Sequence, residues 1–461
     1  MAQIGRREFL GGCMAAAAGA TGLRRAAGAT SARRPPNILF IFSDQQRWDT
    51  LGCYGQKLPV TGNLDRLAAE GVRFEHAFTP QPLCAPARSV LQTGLYATQA
   101  GVPRNGARLK PGRFTIARGL AAAGYQVGYI GKWHLGPDHG GYKDYWLASN
   151  VLEHTSGAYG GYMRDASGKK VSFPEGRYRV DAVTDFAVRR LRDQDAERPF
   201  FLFVSYVEPH HQNNRGRFIG PAGSQERWKD YVVPADLAGR RGDWKKNFPD
   251  YLGCCSALDG AVGRLREELG RRGLAENTLI VYASDHGCHF RTRPGEYKRT
   301  CHENAIRVPL ILHGGGFAGG RVVRDLVSLV DLPPTLLTAA GARVPETFRG
   351  RALQGLLDGS GASWPDDVFV QISENGIGRA VRTRRWKYCV QRPRSKRGRP
   401  APPPDVWIEQ YLYDLDADYI ERHNLVGDPA HAKVRAELAE RLKRRMASAG
   451  EKPPVIRPAA G

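Results

Sequence analysis

Four groups of residues in this chain have the types and spacing to do chemistry. Three are polar clusters placed directly after apolar runs: Ser43-Asp44-Gln45, Glu208-Pro209-His210-His211 and Ser284-Asp285-His286-Gly287. When such runs are strands of an open α/β sheet, ligands bind outside their carboxyl ends, so the three clusters are expected to converge. The fourth group is Cys84-Ala85-Pro86-Ala87-Arg88, followed by a helix-like segment over residues 89–93 that Gly94 closes. A helix amino terminus beside a reactive group offers backbone N–H groups and a positive dipole end to an oxyanion. Lys132 and His134 stand in a glycine-flanked turn after another short apolar run. Histidine is the side chain that exchanges a proton near neutral pH. Oxyanion binding and proton transfer are the chemistry these residues suit.

The elements that must position them alternate along the chain. Residues 37–42, 127–130, 200–206, 279–283 and 308–312 read as buried strands, residues 180–192 and 258–269 as helices, and residues 64–74 have helical spacing with the helix ending at Gly71. That alternation predicts an α/β sheet covered on both faces. From about residue 342 the texture changes. Residues 368–373 and 381–390 read as antiparallel strands, 392–404 as a Pro- and Arg-rich loop, and 430–446 as a charged amphipathic helix. The expected organisation is an export signal over residues 1–32, a catalytic domain over 33–341, and a C-terminal subdomain over 342–461 ending in a loose tail.

Composition narrows the class. At 461 residues, 41% hydrophobic and 25% charged, the chain is no collagen, coiled coil, disordered tract or small disulfide scaffold. No apolar run is long enough to insert stably in a bilayer. The formal net charge of +22 raises the local concentration of anionic partners. Ten Lys or Arg and no acid fall within residues 379–399, which reads first as a solvated basic edge and second as a cradle for a polyanion through Arg forks. Trp386, Tyr388 and Trp407 lie near enough in sequence to stack on sugar rings. Arg6-Arg7-Glu8-Phe9-Leu10, an uncharged stretch to Leu23 and small residues at 27–32 resemble a twin-arginine signal. This implies passage through the twin-arginine translocation machinery to the periplasm or the outside, and argues against nucleic acid as a partner. Seven cysteines lie outside the signal, an odd number without paired CxxC spacing. They permit up to three disulfides, leave one thiol over and do not suggest structural zinc.

Taken together over residues 36–425, the motifs resemble the type I sulfatases of the alkaline phosphatase superfamily. Besides the groups above, the resemblance rests on Gly131-Lys132-Trp133-His134-Leu135-Gly136, Lys298, Arg307-Val308-Pro309-Leu310, Gly350-Arg351-Ala352-Leu353 and Leu412-Tyr413-Asp414-Leu415. It implies an alkaline-phosphatase-like large domain, with a mixed sheet between helices, and a smaller C-terminal α+β domain with an antiparallel sheet. It implies that Cys84 is oxidised to formylglycine (3-oxoalanine) by a formylglycine-generating enzyme. A hydrated aldehyde carries two hydroxyls: one attacks sulfur, and the other expels sulfate by re-forming the aldehyde. The resemblance assigns Asp44, Gln45, Asp285, His286 and the modified Cys84 to one divalent cation, with Ca²⁺ favoured over Mg²⁺ or Mn²⁺ for hard oxygen ligands. Arg88 would hold the hydrated aldehyde and Lys132 the sulfate. His134 would take the proton that allows sulfate to leave, and His210 and Lys298 would protonate the leaving oxygen. His211 and Asn213 are candidates to line the substrate pocket.

Two positions depart from the commonest pattern. Gln45 stands where many members carry a second Asp, so the site has one negative charge fewer, and some relatives acting on phosphonate monoesters share this Gln. His286 stands where many members carry Asn. The expected activity is hydrolysis of sulfate monoesters on a sulfated saccharide. The rival readings are a phosphonate monoester or phosphodiester hydrolase, and an inactive binder of sulfated polymers.

Overall fold

The computed structural model describes residues 34–195, 197–293, 295–360, 363–393 and 405–459. The expected export signal lies outside them, as does the basic stretch 394–404. The first strand, β1 (Asn37–Asp44), is buried at every position. Ile38, Phe40 and Phe42 enter one core with Phe201, Phe203, Leu279 and Val281. Leu39 and Ile41 enter a second core with Leu202, Val204, Ile280 and Tyr282. A strand covered on both faces needs no polar alternation, which is why the run is continuously apolar.

The large sheet also contains β2 (Val72–Phe78), β3 (Gln126–Lys132), β4 (Tyr145–Ser149), β5 (Tyr162–Asp165) and β6 (Lys170–Ser172). It is completed by β7 (Phe200–Pro209), β8 (Thr278–Ser284), β9 (Leu310–His313) and β10 (Arg321–Ser328). The spatial order is β10-β2-β9-β8-β1-β7-β3-β4-β5-β6. The centre, β8 through β4, is parallel, while β9, β5 and β6 run antiparallel to their neighbours. The sheet is therefore mixed. Helices Ile116–Ala122 and Leu332–Ala339 cover one face. Helices Gly62–Glu70, Arg179–Arg192 and Trp244–Arg271 cover the other.

Two elements differ from the sequence reading, and a third ends where it was expected to. The helix expected to end at Gly71 stops at Glu70, and Val72 begins β2. Gly71 breaks it because a Cβ there would lie 2.3 Å from the Leu312 carbonyl oxygen. The helix expected over 258–269 begins a full fourteen residues earlier, at Trp244. Pro249, within it, interrupts the helical pattern. The strand expected over 381–390 is two, β12 (Gly378–Thr383) and β13 (Trp386–Gln391), joined by a tight turn.

These two belong to a second sheet with β11 (Asp367–Ile372), β14 (Val406–Asp414) and β15 (Val455–Arg457), in the order β11 to β15. β11 to β14 are antiparallel, and β15 joins parallel to β14. Helix Ala432–Ser448 packs Leu438, Leu442 and Met446 on one face, against Tyr388, Val390 and Trp407. The other face sets Val368, Val370 and Ala380 on Phe78, Ile306 and Leu326 of the large lobe. Tyr388 and Trp407 are thus core residues, 0% and 5% exposed, and do not stack on a ligand. The seven cysteines are all free thiols. No described helix is long and apolar enough to cross a membrane.

Candidate active site

β8, β1, β7 and β3 lie side by side, and their carboxyl ends deliver one cluster. Asp44 ends β1, and Asp285 and His286 follow β8. Cys84 opens the helix Cys84–Thr93. One ligand atom from each of these four lies within 4.8 Å of the others, and all four are buried. The sequence reading placed the helix after the cysteine. Pro86 does not prevent the earlier start, because the first-turn N–H it lacks has no partner within the helix. Cys84 therefore occupies the first helical position, where the dipole favours negative charge.

Backbone strain marks two of the site residues. Gln45 has φ 67° and His134 φ 61°, left-handed values that L-residues adopt rarely. At Gln45 the conformation is locked from both sides: its N–H donates to Asp285 Oδ1 at 2.9 Å and its carbonyl accepts from Tyr251 Oη at 2.7 Å. At His134 the N–H donates to the Asn150 carbonyl at 2.6 Å, and Nδ1 has no partner among the described residues.

The cations are distributed unevenly. Lys132 Nζ lies 2.8 Å from Asp44 Oδ2 and 2.8 Å from Glu153 Oε1. Arg88 donates to Asp44 Oδ2 at 3.0 Å, the Lys132 carbonyl at 2.9 Å and Ser205 Oγ at 2.7 Å. It underlies the carboxylates and positions them rather than contacting Cys84 Sγ. Lys298 Nζ stands 3.0 Å from Cys84 Sγ, 3.1 Å from His210 Nε2, 3.2 Å from His286 Nε2 and 3.2 Å from Gln45 Oε1. Burial raises the Cys84 pKa, but Lys132, Lys298 and His286 together hold it well below that of an ordinary thiol. Burial also opposes ionisation of Asp44, yet Lys132, His210 and Arg88 keep its carboxyl well below the usual range. Glu153 is treated likewise, down to about 2, with Lys132 outweighing burial.

Two histidines have their tautomers set by carbonyl oxygens, which only accept. His210 Nδ1 meets the His211 carbonyl at 2.7 Å, and His286 Nδ1 meets that of Gly287 at 2.9 Å. Both Nε2 lone pairs therefore face the cluster. For His286 this is the tautomer a metal ligand needs, with its other nitrogen anchored by backbone. The donor set suits a divalent cation, and one atom calls for it. Asp285 Oδ2 is buried without a hydrogen bond, and burial with the neighbouring Asp44 pushes this carboxyl up to about 7. A buried carboxylate in that state is short of positive charge. Gln45 Oε1 is engaged by Lys298, and its amide nitrogen points to Cys288 Sγ at 3.5 Å.

A cleft of about 560 Å³ opens over the cluster and is lined by Gln45, Cys84, His134, Glu153, His210, His211, Asn213 and Lys298 among others. His211 packs on Tyr297 at 4.7 Å, and burial, His210 and Lys298 press its pKa down to about 3. Gln212, in the same polar run, turns inward and bonds the carbonyls of Glu153 and Ser156. Sequence reasoning missed Glu153, on the one-turn helix Leu152–Thr155, and Asn105, Arg108, Arg291 and Tyr297, which come from irregular segments without a periodic signal. The only hint at Glu153 was an acid within the otherwise apolar Val151-Leu152-Glu153 run. A larger groove of about 790 Å³, between helix Ala432–Ser448 and the β12–β13 turn, lies among other residues altogether.

Four described cations of the basic segment are neither a solvated edge nor an open cradle. Arg379 is tied to Glu451 at 2.7 Å, Arg382 to Glu303 at 3.2 Å, Arg385 to Asp414 at 2.6 Å, and Lys387 to Glu421 at 2.6 Å. The acids that neutralise these four come from elsewhere in the chain.

A mixed sheet whose central parallel strands present a buried Asp/Cys/Asp/His cluster beneath a cationic cleft is the architecture of the alkaline phosphatase superfamily. Residues 36–342 match the Sulfatase family, and residues 295–448 match the family described as N-sulphoglucosamine sulphohydrolase, C-terminal. The chain belongs to the sulfatase family and is a sulfuric ester hydrolase. Human arylsulfatase A is 31% identical, across 89% of this chain and 87% of that protein. An N-acetylglucosamine-6-O-sulfatase of Bacteroides thetaiotaomicron is 26% identical, across 88% of this chain and 86% of that one. A solved structure in complex with its substrate D-glucosamine-2-N,6-O-disulfate superposes with a TM-score of 0.75 at 25% identity, covering 90% of this chain and 98% of that one.

Proposed function

We propose that this chain removes sulfate from a sulfated saccharide, with Cys84 converted to formylglycine. The observation that carries the reading is the position of Cys84. It opens a helix, faces the cleft, and lies among two carboxylates, an imidazole and the Lys298 ammonium. Position 84, once oxidised and hydrated, supplies one oxygen to attack sulfur and a second to release sulfate. Asp44, Asp285, His286 and residue 84 would hold a divalent cation, best Ca²⁺, which would supply Lewis acidity to the attacking hydroxyl and to the sulfate oxygens. Gln45 adds a neutral oxygen to the same pocket wall.

The chain's own residues then divide the work. Lys132, clamped by Asp44 and Glu153, keeps a fixed positive charge at the floor of the site. Lys298 and His210, 3.1 Å apart, place a donor and an acceptor where the ester oxygen leaves, so the proton reaches the alcohol product there. His134, with an unpartnered Nδ1, accepts the proton released when residue 84 returns to the aldehyde. The export signal, the catalytic role of residues 33–341 and the supporting role of residues 342–461 belong to the same proposal. So do the modifying enzyme and the translocation machinery as partners.

Peptide mass spectrometry of the fragment containing Cys84, from protein produced with a formylglycine-generating enzyme, tests it. A loss of about 18 Da at that residue, together with sulfate release from saccharides, is expected. An unmodified thiol under those conditions, with no turnover, moves the chain to the inactive-binder reading. Gln45 favours one further reading, a phosphonate or phosphodiester hydrolase. Rates on matched sulfate and phosphonate monoesters separate the two, and a faster phosphonate reaction would overturn the sulfate assignment.

A further inference from the structure

The cleft carries positive charge that the scheme above leaves unused. Arg108 and Arg291 both line it, and both are exposed. Each is placed there by packing, Arg108 through its stem and Arg291 through its guanidinium. The aliphatic part of Arg108 crosses Gly136, where an added Cβ would lie 2.9 Å from Arg108 Cβ and 3.2 Å from its Cδ. The guanidinium of Arg291 lies over the Tyr297 ring, 5.0 Å from its centre, and Tyr297 is anchored by a hydrogen bond to Asp243. Arg291 and the preceding Phe290 are both left-handed, at φ 59° and 47°, a conformation retained only where the surroundings hold it.

Neither head is neutralised. Arg108 has no ion pair or hydrogen bond among the described residues. The nearest carboxylate to Arg291 is Asp243 at 3.9 Å, the outer edge of ion pairing. Of the other cleft cations, Arg299 is matched with Glu296 at 2.7 Å and Glu374 at 2.9 Å, and Lys298 is engaged by Cys84 Sγ, Gln45 Oε1 and the two histidines of the cluster. The charge left over is on Arg108 and Arg291, in the same cleft as residue 84 but outside its cluster. A guanidinium with free N–H groups binds planar or tetrahedral oxyanions through paired hydrogen bonds.

We propose that Arg108 and Arg291 form a second anion subsite. The preferred substrate then carries, besides the scissile sulfate, a further sulfate or carboxylate on the same or the adjoining sugar. This rests on the sulfatase reading of the site and names its substrate class more narrowly.

The test uses the full exported protein with residue 84 matured. Its substrates are 4-nitrophenyl sulfate, a monosulfated glucosamine, a disulfated glucosamine, and a monosulfated disaccharide containing a uronic acid. The native enzyme is expected to prefer at least one dianionic sugar over the monosulfated one by about tenfold in kcat/KM, with the preference shrinking as salt rises. The two dianionic substrates show whether sulfate or carboxylate is the second anion. Arg108→Ala and Arg291→Ala should each reduce the ratio of dianionic to monosulfated kcat/KM by about tenfold, through KM. Arg→Lys at either position should restore part of it. No dianionic preference in the native enzyme, or an equal fall on all substrates in the variants, overturns the subsite. Calorimetric binding of the same sugars to the Cys84→Ala protein reads the subsite without turnover. Failure of the native enzyme on every sulfate ester therefore strikes the sulfatase reading, whereas unchanged sugar binding in the Arg variants strikes this one.

Discussion

Asp44 and Asp285 are both fully buried carboxylates at the ends of adjacent strands, yet the fold provides for them differently. Asp44 has Lys132 at 2.8 Å and Arg88 at 3.0 Å. Asp285 has a single backbone N–H on Oδ1 and Arg88 no nearer than 3.6 Å from Oδ2. The imbalance is what a bound divalent cation would correct, so cation loading should stabilise the protein as well as activate it. At a hundredfold excess over the dissociation constant the contribution is about 2.7 kcal/mol. A thermal melt with chelator and then with added Ca²⁺ is expected to show a fall and a recovery of the midpoint. In Asp285→Asn the Ca²⁺ response should be lost, and an unchanged response there would remove Asp285 from the ligand set. Cys84 makes the complementary case. It stands at a helix position that alanine fills well, so Cys84→Ala should keep the melting midpoint within a few degrees. Turnover of an aryl sulfate should fall by at least about a thousandfold, because the nucleophile itself is gone. Retained turnover would refute the assignment.

At the scale of the element, the site is built from strand ends, and this is the part that could be read from the residues alone. Apolar runs closed by Ser-Asp, Pro-His or Ser-Asp-His announce both the strand and the place where its side chains emerge. Lys132 and His134 were legible for a related reason. Gly131, at φ 108°, brings β3 so close to β7 that a Cβ would lie 1.9 Å from the Ser205 carbonyl oxygen. Only glycine fits there, and Lys132 and the Arg88 contacts to Ser205 Oγ and the Lys132 carbonyl hang on that approach. Gly131→Ala is therefore expected to cost about 2–4 kcal/mol in a urea titration. It should reduce kcat more than it raises KM, since it displaces Lys132 rather than the cleft rim. A variant of native stability and native kcat would show that the strand can give way. Glu153, Arg108 and Arg291 were not legible, because short or irregular segments carry no period and their roles are set by which distant residue they meet. Glu153 acquires meaning only once Lys132 is seen 2.8 Å away.

For the whole molecule, the same limit explains the basic segment. Its charge is plain in the sequence, but the acids that pair its described residues Arg379, Arg382, Arg385 and Lys387 are not. Lys387 is completely buried between Glu303 of the large lobe, at 2.7 Å, and Glu421, at 2.6 Å. Arg382 reaches the same Glu303, and Glu421 accepts the Glu303 N–H at 2.8 Å. Burial works against the charge on Glu303, but Arg382 and Lys387 hold its carboxyl far below the usual range. Glu421 goes the other way, raised mainly by burial with Glu303 beside it. Two cations and two acids thus close a seam by which the second sheet meets the lobe carrying Lys298, five residues before Glu303. Replacing a buried network by apolar side chains can be neutral, whereas removing one member leaves an uncompensated charge at a cost of about 3–5 kcal/mol. Lys387→Met should accordingly lower the unfolding free energy from a urea titration by that amount. Adding Glu421→Gln to the same variant should recover a large part of the loss, because it removes one of the two stranded acids. The double-mutant cycle reads the coupling directly. If the two losses simply add, the seam is a set of independent pairs rather than a network, and the second sheet is held on mainly by the apolar contacts of Val368, Val370 and Ala380 with Phe78 and Ile306.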